Sequence, residues 1–254
     1  MEKRKVCFRN NKGQKLGGYL YIPDGKGPFP TVIICHGLST SKEAHNVTQV
    51  APLLVPNGFL VFAFDFHGHG ESEGEFEDVT ITQGIDDLNC AIEYIIEQPL
   101  VDISRIGLFG ASFGGIISIY ITARDKRIKV LSLRAPLIDY KKSLENRKEI
   151  FDSWKEKGYR IYESWSGPKK LNYSYALDAM KYNELVDAEK IKVPTLMVVG
   201  TEDSIVVPEL AEKFHQALVC EKKMIWLKGE KHNWSAEAKK KGFNEIANWF
   251  KKYL

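Results

Sequence analysis

The sequence predicts an α/β fold: a mostly parallel, eight-stranded sheet flanked by helices on both faces, with one small insertion. Three observations carry this. Five short runs, 31–35 (TVIIC), 60–64 (LVFAF), 105–109 (RIGLF), 130–133 (VLSL) and 195–199 (TLMVV), are almost continuously apolar and bounded by turn residues, as strands buried on both faces are. Between them lie segments whose apolar residues recur near every 3.6 positions, the helical period. Strand and helix alternate along the chain, which builds a parallel sheet.

In chain order, 6–8 and 17–22 read as strands joined by a polar turn containing Asn10, Asn11 and Gly13, an antiparallel hairpin at the sheet edge. Strands 31–35 and 60–64 follow, the first leading into His36-Gly37-Leu38 and the second into Asp65-Phe66-His67-Gly68-His69-Gly70-Glu71-Ser72. Helix 82–97 precedes strand 105–109, which runs directly into Gly110-Ala111-Ser112-Phe113-Gly114-Gly115 and helix 113–123. After strand 130–133 the pattern breaks. Residues 137–190 are charged and aromatic, with Tyr140, Phe151, Trp154, Tyr159, Tyr162, Trp165, Tyr173 and Tyr175 around the turn Ser166-Gly167-Pro168. Some 50 residues are too long for a plain loop, so this insertion is expected to hold short helices or a hairpin of its own. Strand 195–199, helix 209–218, strand 223–227 and an amphipathic helix 236–253, with Phe243, Ile246, Ala247, Trp249 and Phe250 inward, close the chain. The expected organisation is a single domain, 1–254, carrying a cap subdomain at 137–190.

Composition restricts the partners. With 44% apolar and 27% charged residues the chain is ordinary globular material. A net charge of +3, with lysines clustered only at 239–241 and 251–252 where a last helix would present them to solvent, is no nucleic-acid footprint. Cys7, Cys35, Cys90 and Cys220 are far apart and form no CxxC, which argues against a disulfide framework or a zinc site; three of them fall in apolar stretches where a thiol packs as a small hydrophobe. The charged N-terminus leads straight into a strand, and no run approaches the ~18 apolar residues of a membrane span. The expectation is a cytoplasmic protein with no membrane or nucleic-acid partner and no cofactor or metal; a homodimer is compatible with it.

The chemistry is carried by a serine. Ser112 stands between a buried strand and a helix on a turn tight enough to demand glycine at its flanks, which strains the serine backbone and lifts its hydroxyl above the sheet edge. The alternative is a glycine-rich turn where the serine only caps the helix. A serine nucleophile needs a base, and of the six histidines His232, in the loop between the last strand and the closing helix, is best placed to swing over the C-terminal edge of the sheet. The imidazole needs a carboxylate to fix its tautomer. Asp203, in the loop after strand 195–199, is the expected one, with Glu202 as the rival one register position away. An oxyanion would be met by the backbone N–H of Phe113, next after the serine, and by Leu38 N–H in the loop after strand 31–35. His36 reads as a ring that bonds nearby backbone and holds that loop. The two histidines and two carboxylates of the Asp65 to Ser72 loop suggest a metal, but histidines two apart on a glycine-rich turn are weak ligands, and the turn is the preferred reading.

The order Ser112, Asp203, His232, with His36-Gly37-Leu38 upstream and D-x-H-G-x-G-x-S at Asp65 to Ser72, resembles the α/β-hydrolase superfamily over essentially the whole chain. The compact size, the loop at His36 and the insertion after the sixth strand resemble its carboxylesterase branch that includes feruloyl (cinnamoyl) esterases. The resemblance implies Ser112 as nucleophile, His232 as general base and then acid, Asp203 as its orienting acid, and Leu38 and Phe113 as oxyanion donors. His67 departs from the arginine many relatives carry in that loop. The insertion would cap Ser112, most of its aromatics forming the cap's own small core and some lining an acyl or aryl pocket, with Asp139 and Tyr140 at its root as expected substrate contacts. The expected activity is hydrolysis of a small-molecule ester, short-chain or aryl, through an acyl-enzyme. A peptidase or amidase, with Glu156, Glu163 or Asp139 anchoring a substrate amine, and a thioesterase or acyltransferase remain rivals on the same fold. So does a silent binding module, although no triad residue or oxyanion glycine is missing. A nucleotide-binding domain is argued against, because no GxGxxG or GxxxxGK[ST] follows a strand.

Overall fold

The computed structural model describes residues 1–164 and 167–254. Trp165 and Ser166 of the expected 166–168 turn lie outside the described residues. The main sheet has eight strands: β1 (Glu2–Arg9), β2 (Lys15–Ile22), β3 (Phe29–Cys35), β4 (Leu60–Phe64), β5 (Val101–Ala111), β6 (Ile128–Arg134), and, beyond a two-stranded sheet in the insertion, β9 (Thr195–Gly200) and β10 (Lys222–Leu227). Their spatial order is β1-β2-β4-β3-β5-β6-β9-β10. β1 and β2 pair antiparallel, as does β2 with β4, and every other neighbour is parallel.

Alternate residues of each central strand go to opposite faces, and both faces are covered. Val32, Ile34, Val61, Ala63 and Phe109 pack with residues of α1 (His45–Leu54) and α9 (Ala236–Tyr253). Ile33, Phe62, Phe64 and Leu108 pack with α2 (Ile81–Ile96), α3 (Phe113–Thr122) and, further along the chain, α8 (Pro208–Ala217). This two-sided burial makes the strands read as unbroken apolar runs. Side-chain caps open α2 and α9, where Thr80 accepts from Gln83 N–H and Ser235 from Ala238 N–H. Helix α1 has neither signal, since Ala44 offers no cap and Pro52 lies inside it, and for that reason its sequence does not declare it.

Between β6 and β9 the chain forms α4 (Tyr140–Glu145), α5 (Lys148–Lys157), the antiparallel pair β7 (Tyr159–Tyr162) and β8 (Lys169–Asn172), α6 (Ser174–Ala179) and α7 (Glu184–Ala188). Short helices and a hairpin are both present. Trp154 is buried here, stacked on Tyr175 at 6.2 Å with its indole N–H donating to Leu171 O at 3.1 Å, while Tyr140 meets Tyr175 edge-on at 5.6 Å. Among the cysteines only Cys35 is fully buried, its thiol pushed up to about 12 by desolvation; Cys7 is exposed and Cys90 and Cys220 are half-buried. The apolar setting of the sequence therefore overstated cysteine burial, because β1 is an edge strand and Cys7 lies on its open side. No helix of the described residues is long and apolar enough to cross a membrane.

Candidate active site

Parallel strands β3, β5, β9 and β10 point their C-terminal ends at one edge of the sheet, and the loops leaving them carry Leu38, Ser112, Asp203 and His232. Ser112 has φ +49° and ψ −109°, a conformation costly for a residue with a side chain. It is held by Ser112 N–H donating to Arg134 O at 3.0 Å and by Leu137 N–H donating to Ser112 O at 3.2 Å. Its hydroxyl makes no capping bond to α3, which removes the reading of a mere helix cap. The flanking glycines are required by close approach: a Cβ at Gly110 would sit 2.6 Å from Gly114 O, and one at Gly114 2.2 Å from Cys35 O.

Asp203 is buried, and Oδ2 lies 2.8 Å from His232 Nδ1. Its other oxygen accepts from Ile205 N–H at 2.9 Å and Val206 N–H at 2.8 Å, so the carboxylate is fixed from both sides. An ionised carboxylate only accepts, so Nδ1 carries the hydrogen and Nε2 keeps its lone pair. Glu202 is exposed and ties the loop down through its backbone, Glu202 N–H donating to Glu230 O at 2.9 Å. Of the two carboxylates, Asp203 is the one that lies against His232. On the far side of the histidine loop, Arg134 Nη2 donates to His232 O at 2.8 Å and its guanidinium lies 4.4 Å from the Trp234 ring centre.

The loop after β3 is locked by two neutral histidines. His36 Nε2 accepts from Phe66 N–H at 3.1 Å, which makes Nδ1 the donor to Gly37 O at 2.8 Å. His69 Nε2 accepts from Ser39 N–H at 3.3 Å, and its Nδ1 donates to His67 O at 2.8 Å. Burial lowers the pKa of both rings, which keeps them neutral. Ser39 has φ +62°, and Gly37 O also accepts from Thr40 N–H, so the backbone around Leu38 is held by several independent bonds. The N–H groups of Leu38 and Phe113 have no acceptor among the described residues.

The glycine-rich loop after β4 is a structural turn. Asp65 Oδ2 takes Lys42 Nζ at 2.6 Å and Glu71 N–H at 2.9 Å, and Oδ1 takes Lys42 N–H at 2.7 Å. His67, standing where many α/β hydrolases carry arginine, bonds Gln14 Oε1 through Nδ1 at 3.0 Å and donates its backbone N–H to Asp87 Oδ2 at 2.8 Å.

A cavity of about 510 Å³ separates the sheet edge from the insertion. Gly37, Leu38, Ser112, Phe113 and His232 line it from below; Tyr140, Trp154, Tyr162 and Tyr175 line it from the insertion. Tyr140, expected at the root of the insertion, is among the lining residues. Asp139 does not line the cavity, since its carboxylate accepts Lys142 N–H at 3.0 Å as the cap of α4. Of the acidic residues considered as amine anchors, Glu163 lines the cavity and Glu156 does not. Sequence reasoning missed Arg134, Arg147 and Arg160 in the lining and His69 behind the Leu38 loop. Only Arg134 carried a readable signal, as a charge ending a buried apolar strand at the edge where ligands bind.

The model of the prolyl oligopeptidase family matches residues 45–254. Among curated proteins, the thiohydrolase aneE of Aspergillus aculeatus is 33% identical over 136 residues, covering 53% of this chain and 42% of that protein. Among solved structures, the α/β hydrolase GrgF from Penicillium sp. superposes with a TM-score of 0.82 at 22% identity over 100% of this chain and 99% of its own. Est1E from Butyrivibrio proteoclasticus, solved with ferulic acid bound, gives 0.79 at 23% identity over 95% and 97%. At these identities the superpositions speak to the fold, which is that of the α/β hydrolases.

Proposed function

This chain belongs to the prolyl oligopeptidase family of α/β hydrolases, and from that premise we propose that it is a serine hydrolase of small carboxylic esters, short-chain or aryl, working through an acyl-enzyme. The observation that carries the reading is one cavity lined by Ser112 on a strained turn and by His232 held at 2.8 Å by a buried Asp203, with the free N–H groups of Leu38 and Phe113 at its wall.

In the proposed reaction His232 Nε2 takes the Ser112 hydroxyl proton as Oγ attacks the ester carbonyl. Asp203 orients the ring and stabilises the imidazolium that forms. The developing oxyanion accepts hydrogen bonds from Leu38 and Phe113 N–H, donors already fixed in place by the His36 and His69 bonds and by the elbow. His232 returns its proton to the leaving alkoxide, then activates water to release the acid from Ser112. The segment 137–190 acts as the cap over this chemistry, its aromatics serving as both its own core and the pocket wall.

The test is initial rates on p-nitrophenyl and hydroxycinnamate methyl esters beside an aminoacyl-p-nitroanilide, for wild type and Ser112→Ala, with fluorophosphonate labelling. Ester turnover and labelling that vanish in Ser112→Ala are expected. Turnover of the anilide alone would favour the peptidase reading, for which Glu163 is the amine anchor the cavity offers. Folded wild type that neither labels nor turns over any substrate would overturn the serine mechanism.

A further inference from the structure

Three arginines line the cavity, Arg134, Arg147 and Arg160, against one carboxylate, the exposed Glu163. None of the three forms an ion pair among the described residues. Of the other five arginines, Arg4, Arg105, Arg124 and Arg127 each pair with a carboxylate, and the exposed Arg9 donates to a backbone carbonyl, Gly13 O. Three of the four guanidiniums without an ion pair among the described residues thus line the cavity where a ligand would lie.

Two of them come from the insertion. Arg147, in the turn between α4 and α5, is anchored to α4, Nε donating to Ser143 O at 3.1 Å and Nη2 to Ser143 Oγ at 2.7 Å, which fixes the fork and leaves Nη1 without a partner among the described residues. Arg160 comes from the first strand of the insertion's hairpin, its guanidinium 5.2 Å from the Trp154 ring centre and 5.5 Å from that of Tyr162. Both cations lie within electrostatic reach of the Tyr140 and Tyr162 hydroxyls, which line the same cavity. Arg134 ends β6 beside the His232 loop, buried, with one nitrogen on His232 O and Nε buried without a partner among the described residues. Like charges held in a partly enclosed, aromatic-walled space repel, and an anion entering between them relieves that repulsion. The planar guanidinium fork fits a carboxylate by two parallel bonds.

We propose that the preferred substrate carries a free carboxylate remote from the scissile bond, as a monoester of a dicarboxylic acid does, and that Arg147 and Arg160 receive it beneath the insertion. This rests on the esterase reading and specifies its substrate.

The experiment compares matched esters at low ionic strength: p-nitrophenyl hydrogen glutarate against its methyl-capped form, and 4-carboxyphenyl butyrate against its methyl ester. In at least one pair the anionic member is expected to show a kcat/KM about tenfold higher. That ratio is expected to fall about tenfold in Arg160→Gln and in Arg147→Gln, to recover in part in Arg160→Lys, and to shrink with added salt. Glutarate binding to Ser112→Ala by calorimetry, lost when Arg160→Gln is added, gives a readout that needs no turnover. Ester turnover with ratios of one or below in both pairs, or ratios unmoved in variants with wild-type circular dichroism, overturns the carboxylate site and leaves the esterase standing. No turnover of any ester, with Arg160-dependent glutarate binding, does the opposite. Absence of glutarate binding to the folded protein also overturns the site.

Discussion

Glu184, the first residue of α7, has its carboxyl buried beneath the root of the insertion. Oε2 accepts from Asp139 N–H at 2.8 Å, and Oε1 is buried with no partner among the described residues. Desolvation, reinforced by the nearby Asp139 and Asp187 carboxylates, pushes its pKa up to about 7 from the usual 4.5. Between those values the folded chain holds a proton that the unfolded chain has released, so this group's contribution to stability falls as pH rises through that window and is level above it. At about 1.4 kcal/mol per pH unit the full loss is about 3 kcal/mol. About 2 kcal/mol of it falls between pH 5 and 7.5, because the unfolded carboxyl is already mostly ionised at pH 5. Glu184→Gln keeps an acceptor for Asp139 N–H and cannot ionise. Urea unfolding of both proteins at the two pH values should therefore show the variant gaining about 2 kcal/mol on wild type as pH rises. Taking the difference cancels the opposite trend from His36, His67 and His69, whose burial lowers their pKa and makes them favour the folded state more as pH rises. A relative gain below about 0.5 kcal/mol would refute a buried, proton-retaining Glu184.

Two further outcomes test the site and its frame. Asp203→Asn is expected to lower kcat by roughly 10³ to 10⁴, because an amide no longer holds His232 in the Nδ1–H tautomer, whereas Glu202→Gln, exposed and bonded only through its backbone, should change it less than about twofold; equal losses would reverse the assignment. Lys42→Met leaves Asp65 fully buried without its cation, since the two side chains are 2% and 0% exposed, and should cost about 3 to 5 kcal/mol in urea unfolding; a cost under about 1 kcal/mol would mean that Lys42 N–H and Glu71 N–H alone carry that carboxylate.

The parts of the molecule that were legible in the sequence are those governed by local rules. Strand 60–64 and helix 236–253 coincide with β4 and α9 because two-sided burial and a 3.6-residue stripe each leave a full signature in composition. Other boundaries moved outward where the extra residues break the apolar run: β5 begins at Val101, four residues before that run, since Asp102, the exposed Ile103 and Ser104 are extended at the open end of the strand. Helix α1 was not legible, because its N-terminus lacks a capping side chain and Pro52 argues against helix while packing settles the matter through Val47, Val50 and Leu54. Propensity is overruled there by a buried face.

The same division runs through the site. Ser112, Asp203 and His232 each stand in the loop leaving a parallel strand, so chain order and sheet direction alone bring them to one edge, and a linear reading can follow that logic. The cavity's upper wall obeys no such rule. Arg147 and Arg160 sit at elements whose order says nothing of which way they face, in a stretch with lysines and glutamates close by. What sets them apart is a place in the cavity wall without an ion pair among the described residues, a relation that exists only once the chain has folded. Charge composition near neutrality conceals it, because +3 over the whole chain averages a cavity wall of three guanidiniums and one carboxylate with a remainder close to neutral. On the proposed reading, substrate preference is encoded in unmatched charge rather than in any motif, and it can diverge among chains that keep the same elbow, the same His232–Asp203 bond and the same N–H groups at Leu38 and Phe113.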